Sequence, residues 1–281
     1  MRPLRLSPAA HLPPAGRTLR TMDDQRVTVD VRDRIARVRL EAPARRNALG
    51  QALLTALTEA LALVAADPDA RVIVVEADGP AFSAGHDIAE MRDRDEDYYR
   101  DLFASCTTMM TLLRQVPQPV IARVDGVATA AGCQLVAGCD LAVASDRSTF
   151  ALPGVRIGLF CSTPLVPVAR AIGPKRALQM LLTGEPIDAA TALEWGLVNE
   201  VVPPDELDAA VSELAAQIGR WSPQVLELGK LAFYEQLGLS EPAAYEVMTE
   251  IMTANALMPD AQEGFAAFVE KRPAVWGDPD S

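Results

Sequence analysis

Residues 71–76 (RVIVVE) place four apolar residues in a row, without the in-and-out alternation of a strand that faces water on one side. A strand of that kind must be covered on both faces, which calls for a parallel sheet flanked by helices. The flanking sequence supplies the other pieces. Val27, Val29 and Val31 alternate, and Ile35, Val38 and Leu40 continue the apolar positions, so two short strands around Arg32-Asp33-Arg34 predict a hairpin. Leu53, Ala56, Leu57, Ala60, Leu61 and Val64 then fall at helical spacing. Further on, the pattern predicts a helix over about residues 97–113, a strand at 120–124, a small-residue helix from about Ala130 and a strand at 141–144. Beyond Pro164 the chain reads as successive helices with a short strand near residues 199–202, and Ser222-Pro223 gives an N-cap followed by proline at the first helical position.

Strands alternating with helices predict an α/β core over residues 23–215, and the remaining residues, 216–281, read as a helical region. Residues 1–22 carry arginines, no acid before Asp23, and prolines at positions 3, 8, 13 and 14. They are expected to be disordered, or to precede a true start at Met22; a mitochondrial transit peptide fits less well, because such segments are amphipathic and Ser-rich.

Charge narrows the partners. With 38 Asp and Glu against 26 Lys and Arg, the net charge of −12 repels phosphate backbones and anionic lipid, so neither nucleic acid nor a membrane is expected as a partner. The longest uncharged stretches, residues 126–139 and 157–169, fall short of the ~18 apolar residues that a membrane span needs. Cys106, Cys133, Cys139 and Cys161 lack CxxC spacing and read as buried thiols in a reducing compartment, the cytoplasm or, as the alternative, the mitochondrial matrix. With His11 and His86 as the two histidines, no His-based metal site is expected.

Two corners rich in glycine and alanine each follow a buried strand and precede a helix: residues 81–88 (AFSAGHDI) and 125–134 (DGVATAAGCQ). Small residues let the backbone approach a ligand. Unpaired N–H groups at a helix start carry partial positive charge, so two such corners facing one point would make a hole for an oxyanion. Either corner alone is more simply read as a tight strand-to-helix turn.

Taken together, FSAGHDI, ATAAGCQL some 45 residues later, the upstream PARRNAL and the terminal AAFVEKR resemble the crotonase superfamily of enoyl-CoA hydratases and isomerases over roughly residues 26–276. Within it, residues 85–87, 128–135 and 158–164 look most like the enoyl-CoA hydratase domain-containing protein 3 subgroup. The resemblance implies a crotonase-like ββα spiral core with a helical C-terminal trimerisation region, assembled as a homotrimer or a dimer of trimers. It implies an acyl- or enoyl-CoA thioester as substrate, with coenzyme A entering as part of that substrate and no separate cofactor. The oxyanion donors would be the backbone N–H groups of His86 and Ala131. Contacts to CoA would come from Arg46, Ala48, Ala84, His86, Asp87 and Ile88, and from Phe268 and Lys271 of a neighbouring subunit.

The two glutamates that family hydratases use as acid and base would fall at Gln134 and Gly154. Neither position carries a carboxylate, and glutamine cannot accept a proton near neutral pH, so the two-glutamate hydration mechanism cannot run. Asp87 and Glu90 read as a loop-holding and a solvated residue, and Cys161 as an inert core thiol. For His86 the expectation is that the backbone N–H works while the ring packs outside the reacting centre. The readings kept open are an enzyme acting by enolate stabilisation, a non-catalytic acyl-CoA-binding protein, and a CoA-thioester decarboxylase that needs no general base.

Overall fold

In a computed structural model of the chain, residues 17–20 and 26–277 are described. Two sheets share the strands. The larger has seven, in the order β1 (Arg17–Arg20), β2 (Arg26–Arg32), β3 (Ile35–Leu40), β4 (Val72–Ala77), β6 (Val120–Val124), β8 (Leu141–Ser145) and β11 (Glu200–Val202). Pairing is antiparallel from β1 to β3 and parallel from β3 to β11. The smaller sheet has the order β10 (Ile187–Asp188), β9 (Thr149–Ala151), β7 (Val127–Thr129) and β5 (Ala81–Ser83), and β9, β7 and β5 run parallel. The chain alternates between the sheets from β4 to β9, adding one strand to each per turn. That alternation is a spiral of ββα units.

The helices are α1 (Gln51–Ala65), α2 (Ile88–Met91), α3 (Glu96–Gln115), α4 (Ala131–Gly138), α5 (Leu165–Ile172), α6 (Pro174–Thr183), α7 (Ala189–Trp195), α8 (Leu207–Gly219), α9 (Pro223–Gln236), α10 (Glu241–Ala256) and α11 (Pro259–Glu270). Residues Val72 to Val75 are buried on both sides, as the unbroken apolar run predicts. Val72 and Val74 pack with Leu207 and Val211 of α8, while Ile73 and Val75 join the main core with Leu57, Leu61 and Met109. The hairpin also forms as predicted, and its turn residues Asp33 and Arg34 both take positive φ (51° and 64°), the left-handed pair that suits the twist of a two-residue hairpin. Ser222 accepts a hydrogen bond from Val225 N–H at 3.2 Å at the start of α9.

Residues 17–20, within the segment expected to be disordered or to precede a true start at Met22, form β1, paired antiparallel with β2 from Arg17 opposite Val29 to Arg20 opposite Arg26. The sheet offers the β2 edge to any adjoining segment that can extend, and that pairing overrides the composition. The rest of 1–22 lies outside the described residues.

Helix α9 is fastened to the core by a buried ion pair. Lys230 Nζ lies 2.8 Å from Asp140 Oδ2 and donates to the carbonyls of Leu113 and Gln118, both at 2.8 Å. Asp140 also accepts from Tyr234 Oη at 2.7 Å and from Val120 N–H at 2.6 Å. Burial lowers the pKa of Lys230 and the Asp140 carboxylate opposes the shift. No helix among the described residues is long and apolar enough to cross a membrane.

Candidate active site

The two corners meet because their strands are neighbours. Strand β5 pairs with β7 in parallel, with Ser83 opposite Ala128, and His86 and Ala131 each follow three residues later. Parallel neighbours lie about 4.8 Å apart. Two N–H groups leaving the same ends of such strands can bracket a single oxygen with a hydrogen bond from each side. Among the described residues neither the His86 nor the Ala131 N–H donates to another group of the chain. Ala131 opens α4, so the helix dipole adds to the pull on an anion there.

The corners are built from strained, close-packed backbone. Ala130 takes φ 50° and ψ −118°, a conformation that costs a non-glycine residue on the order of 1–3 kcal/mol and that aims the following N–H. Opposite it, Gly85 has φ +86°, and a Cβ there would fall 2.8 Å from Ala130 Cβ and 3.2 Å from Ala131 N, so no larger residue fits between the two donors. The Gly85 carbonyl accepts from Leu49 N–H at 2.7 Å. Asp87 caps α2 through Ala89 N–H at 3.0 Å and pairs with Arg45, which anchors the loop as expected. Glu90 is likewise engaged, by Arg45 Nη1 at 3.3 Å and Gln51 N–H at 3.3 Å.

Sequence reasoning passed over Asn47 as a positioning residue. It is fully buried; its Oδ1 accepts from Ala42 N–H at 2.9 Å, and its Nδ2 donates to the Asp78 and Ala81 carbonyls, both at 2.8 Å. Ser83 Oγ returns a bond to the Asn47 carbonyl at 2.8 Å. The NAL turn is thereby locked against β5. The available signal was an asparagine in the short turn of PARRNAL, since Asn tolerates the left-handed region that Asn47 adopts (φ 51°) and can bond backbone from it.

In front of the donors lies a cavity of about 400 Å³, within the usual range of small-molecule sites. Its walls include Ala84, His86, Ile88 and Ala131, together with Gly154, so five expected positions come together here. Phe103, Ile157, Leu159, Phe160 and Pro164 add apolar lining. Arg46, Ala48 and Asp87 do not line it: Arg46 is exposed and its carbonyl accepts from Ala84 N–H at 3.0 Å, and Ala48 and Asp87 are buried. Gln134 is buried one turn into α4, outside the wall, and its Oε1 has no hydrogen-bond partner. Phe268 and Lys271 are exposed at the end of α11 and take no part in this cavity. No carboxylate of the described residues lines it, and the charged Arg156 at its edge is paired with Glu185.

Burial raises the pKa of Cys161, at the cavity wall, and drives Cys106 and Cys133 up to about 12; all four cysteines are free and buried, as expected. The pKa of His86 moves down, because burial disfavours the charged ring and outweighs its bond with the Leu49 carbonyl, Nδ1 to O 3.1 Å. A carbonyl can only accept, so Nδ1 carries the proton and Nε2 is a lone pair. That Nε2 is buried with no partner, and the ring meets Phe103 edge-on at 5.5 Å.

Compared with known proteins, the chain matches the Enoyl-CoA hydratase/isomerase family over residues 30–279. It belongs to that family. The human enoyl-CoA hydratase domain-containing protein 3, mitochondrial, is 44% identical over 97% of this chain and 93% of its own length. The 2,3-dehydroadipyl-CoA hydratase of Escherichia coli is 32% identical over 87% of this chain and 95% of its own. Among solved structures, an enoyl-CoA hydratase from Mycobacterium smegmatis superposes with a TM-score of 0.87 at 44% identity, covering 89% of this chain and 98% of its own. The human domain-containing protein 3 does so with a TM-score of 0.87 at 46% identity, covering 89% and 99%. The fold is therefore the crotonase fold, and the subgroup resemblance read from residues 85–87, 128–135 and 158–164 is confirmed. Replacing Ala131 by proline, which a helix tolerates at its first position, should remove one donor and lower any thioester turnover by about 10²- to 10³-fold. Steady-state kinetics on a variant whose thermal melt matches wild type checks this, and an unchanged rate would exclude the Ala131 N–H from the chemistry.

Proposed function

We propose that the protein binds an acyl- or enoyl-CoA thioester with its carbonyl oxygen between the His86 and Ala131 N–H groups, and stabilises the enolate-type charge that develops there. The observation that carries this reading is the pair of unengaged N–H groups on adjacent parallel strands, opening on an apolar cavity. The chemistry served is one that needs the oxyanion hole but not two glutamates. Arg46, Ala48 and the residues from Ala84 to Ile88 would flank the pantetheine and adenine. Phe268, 86% exposed, and Lys271 would reach the CoA of a neighbouring subunit in a trimer or dimer of trimers. The mitochondrial designation of the human relative supports the matrix alternative over the cytoplasm.

A panel of enoyl-, β-ketoacyl- and malonyl-type CoA thioesters, followed by calorimetry and by product analysis, tests the proposal. Binding with turnover of at least one is expected. Binding of several with turnover of none would leave a non-catalytic acyl-CoA-binding protein, carbon dioxide release from the malonyl type alone would identify a decarboxylase, and no binding would overturn the reading.

A further inference from the structure

The direction of the His86 N–H is set by the peptide group that carries it. That group follows Gly85, and glycine leaves the peptide after it free to turn, so the donor must be held from outside. Leu49 holds it. The Leu49 N–H donates to the Gly85 carbonyl at 2.7 Å, and because the peptide is planar and trans, fixing that carbonyl sends the His86 N–H to the opposite side, away from Leu49. The Leu49 carbonyl in turn accepts from the His86 ring, Nδ1 to O 3.1 Å. Both main-chain groups of one residue therefore engage the Gly85-His86 pair. Leu49 is a fixed reference for them: it is fully buried in the core, two residues after the locked Asn47. The remainder of the ring is packed away, with Nε2 shielded and without a partner and Phe103 edge-on at 5.5 Å.

Resting on the function proposed above, we infer that the His86 side chain is a positioning group: its Nδ1–H, clasped to the Leu49 carbonyl, fixes the direction in which the His86 main-chain N–H meets the thioester oxygen. Any residue other than proline would supply that N–H; the imidazole adds the tether. Without the ring bond, the Gly85-His86 peptide would hang on the single hydrogen bond from Leu49 N–H, next to a glycine at φ +86° that can let it swing. Hydrogen bonds weaken steeply as they leave the line of donor and acceptor, so such a swing weakens the contact to the oxygen although the N–H is still present. The clasp works with a neutral ring: burial lowers the pKa of His86, and the one proton of a neutral imidazole is placed on Nδ1 by the carbonyl it faces. No proton leaves the ring. The sequence-level expectation, that the main-chain N–H works while the ring packs outside the reacting centre, is kept, and the bond to Leu49 gives the packed ring a task.

Calorimetry on butyryl-CoA and on S-butyl-CoA, the thioether that lacks only the carbonyl oxygen, tests this without knowledge of the physiological reaction. The ratio of the two Kd values reads the carbonyl contact, whereas a loss of packing alone would weaken both ligands alike. Wild type should prefer the thioester by about tenfold or more. In His86→Ala that preference should fall by about fivefold, and in His86→Asn, whose Nδ2 is bonded to Cγ as Nδ1 is and donates in its place, most of it should return. Infrared spectra of butyryl-CoA labelled with ¹³C at the carbonyl should follow the same order: the stretch falls in frequency on binding wild type, returns towards the free value on His86→Ala and falls again on His86→Asn. A folded His86→Ala with undiminished preference and shift, or a His86→Asn that recovers neither, overturns the inference and leaves the proposed function standing. Wild type that binds no thioester of the panel, or that binds butyryl-CoA with neither preference nor shift, overturns the proposed function itself. Should His86→Ala not fold, imidazole ¹⁵N spectra of wild type decide, since the chain has two histidines. A proton on Nδ1 of His86 upholds the clasp, and a proton on Nε2 overturns it.

Discussion

Crotonyl-CoA hydration by this protein is expected to lie far below that of a two-glutamate family hydratase. Each acid or base group contributes typically ~10²- to 10⁴-fold, and both carboxylates are absent. Spectrophotometric loss of the crotonyl-CoA double bond measures it; hydration comparable to a two-glutamate enzyme would mean that an acid/base pair outside the described cavity does the work. The sequence alone suggests that Gln134→Glu with Gly154→Glu would restore the rate, with positive φ at Gly154 as the risk. The structure changes that expectation. Gly154 does not have positive φ, but a Cβ there would fall 2.0 Å from the Leu159 carbonyl oxygen and 2.9 Å from Cys161 Sγ. The turn that lets the Gly154 carbonyl accept from Leu159 N–H at 3.0 Å leaves no room for a side chain. The double variant is therefore expected to remain inactive in hydration, and a restored rate would show that the 159–161 loop can retreat.

The largest stability effect should come from Asp140→Ala. Lys230 is 6% exposed at its side chain, so removing the carboxylate leaves a buried ammonium facing two carbonyls, and the half-buried Tyr234 hydroxyl and the Val120 N–H without their acceptor. Breaking one side of a buried pair typically costs about 3–5 kcal/mol. At roughly 2–4 °C per kcal/mol, the melting temperature should fall by on the order of 10 °C. By contrast, Glu96→Ala removes the exposed partner of Arg100 on α3 and should scarcely move the melt. Calorimetric melts of both variants check this; a drop of under about 2 °C for Asp140→Ala would show that α9 is held by apolar contacts instead.

Where the sequence was legible follows from how many residues carry each signal. The buried run at 72–75 and the α1 stripe each repeat a pattern over several positions, Ser222-Pro223 joins two residue types that each favour a helix start, and each element stands where it was expected. The smaller sheet was not legible, because β5, β7 and β9 are three residues long each and β10 two, too short for any period. Their residues read only as small-residue corners. For the same reason the candidate donors were located by resemblance to a family, while the reason they lie side by side, the pairing of Ser83 with Ala128, needed coordinates. The tautomer of His86 and the crowding around Gly154 depend on Leu49 and Leu159, one remote in sequence and one across a turn, and no local pattern announces either.

The parallel pairing of β5 with β7 has a further consequence for how such a chain can change over time. The gap between the two N–H groups follows a strand spacing, written in main-chain register, and substitutions that spare the close-packed Gly85 do not edit it. A lineage can discard one set of acid/base groups and try another while the polarising centre persists at no cost to the fold. Under the function proposed above, reaction type is then the quantity free to drift, and electrophilic activation of the ligand the one that would be inherited.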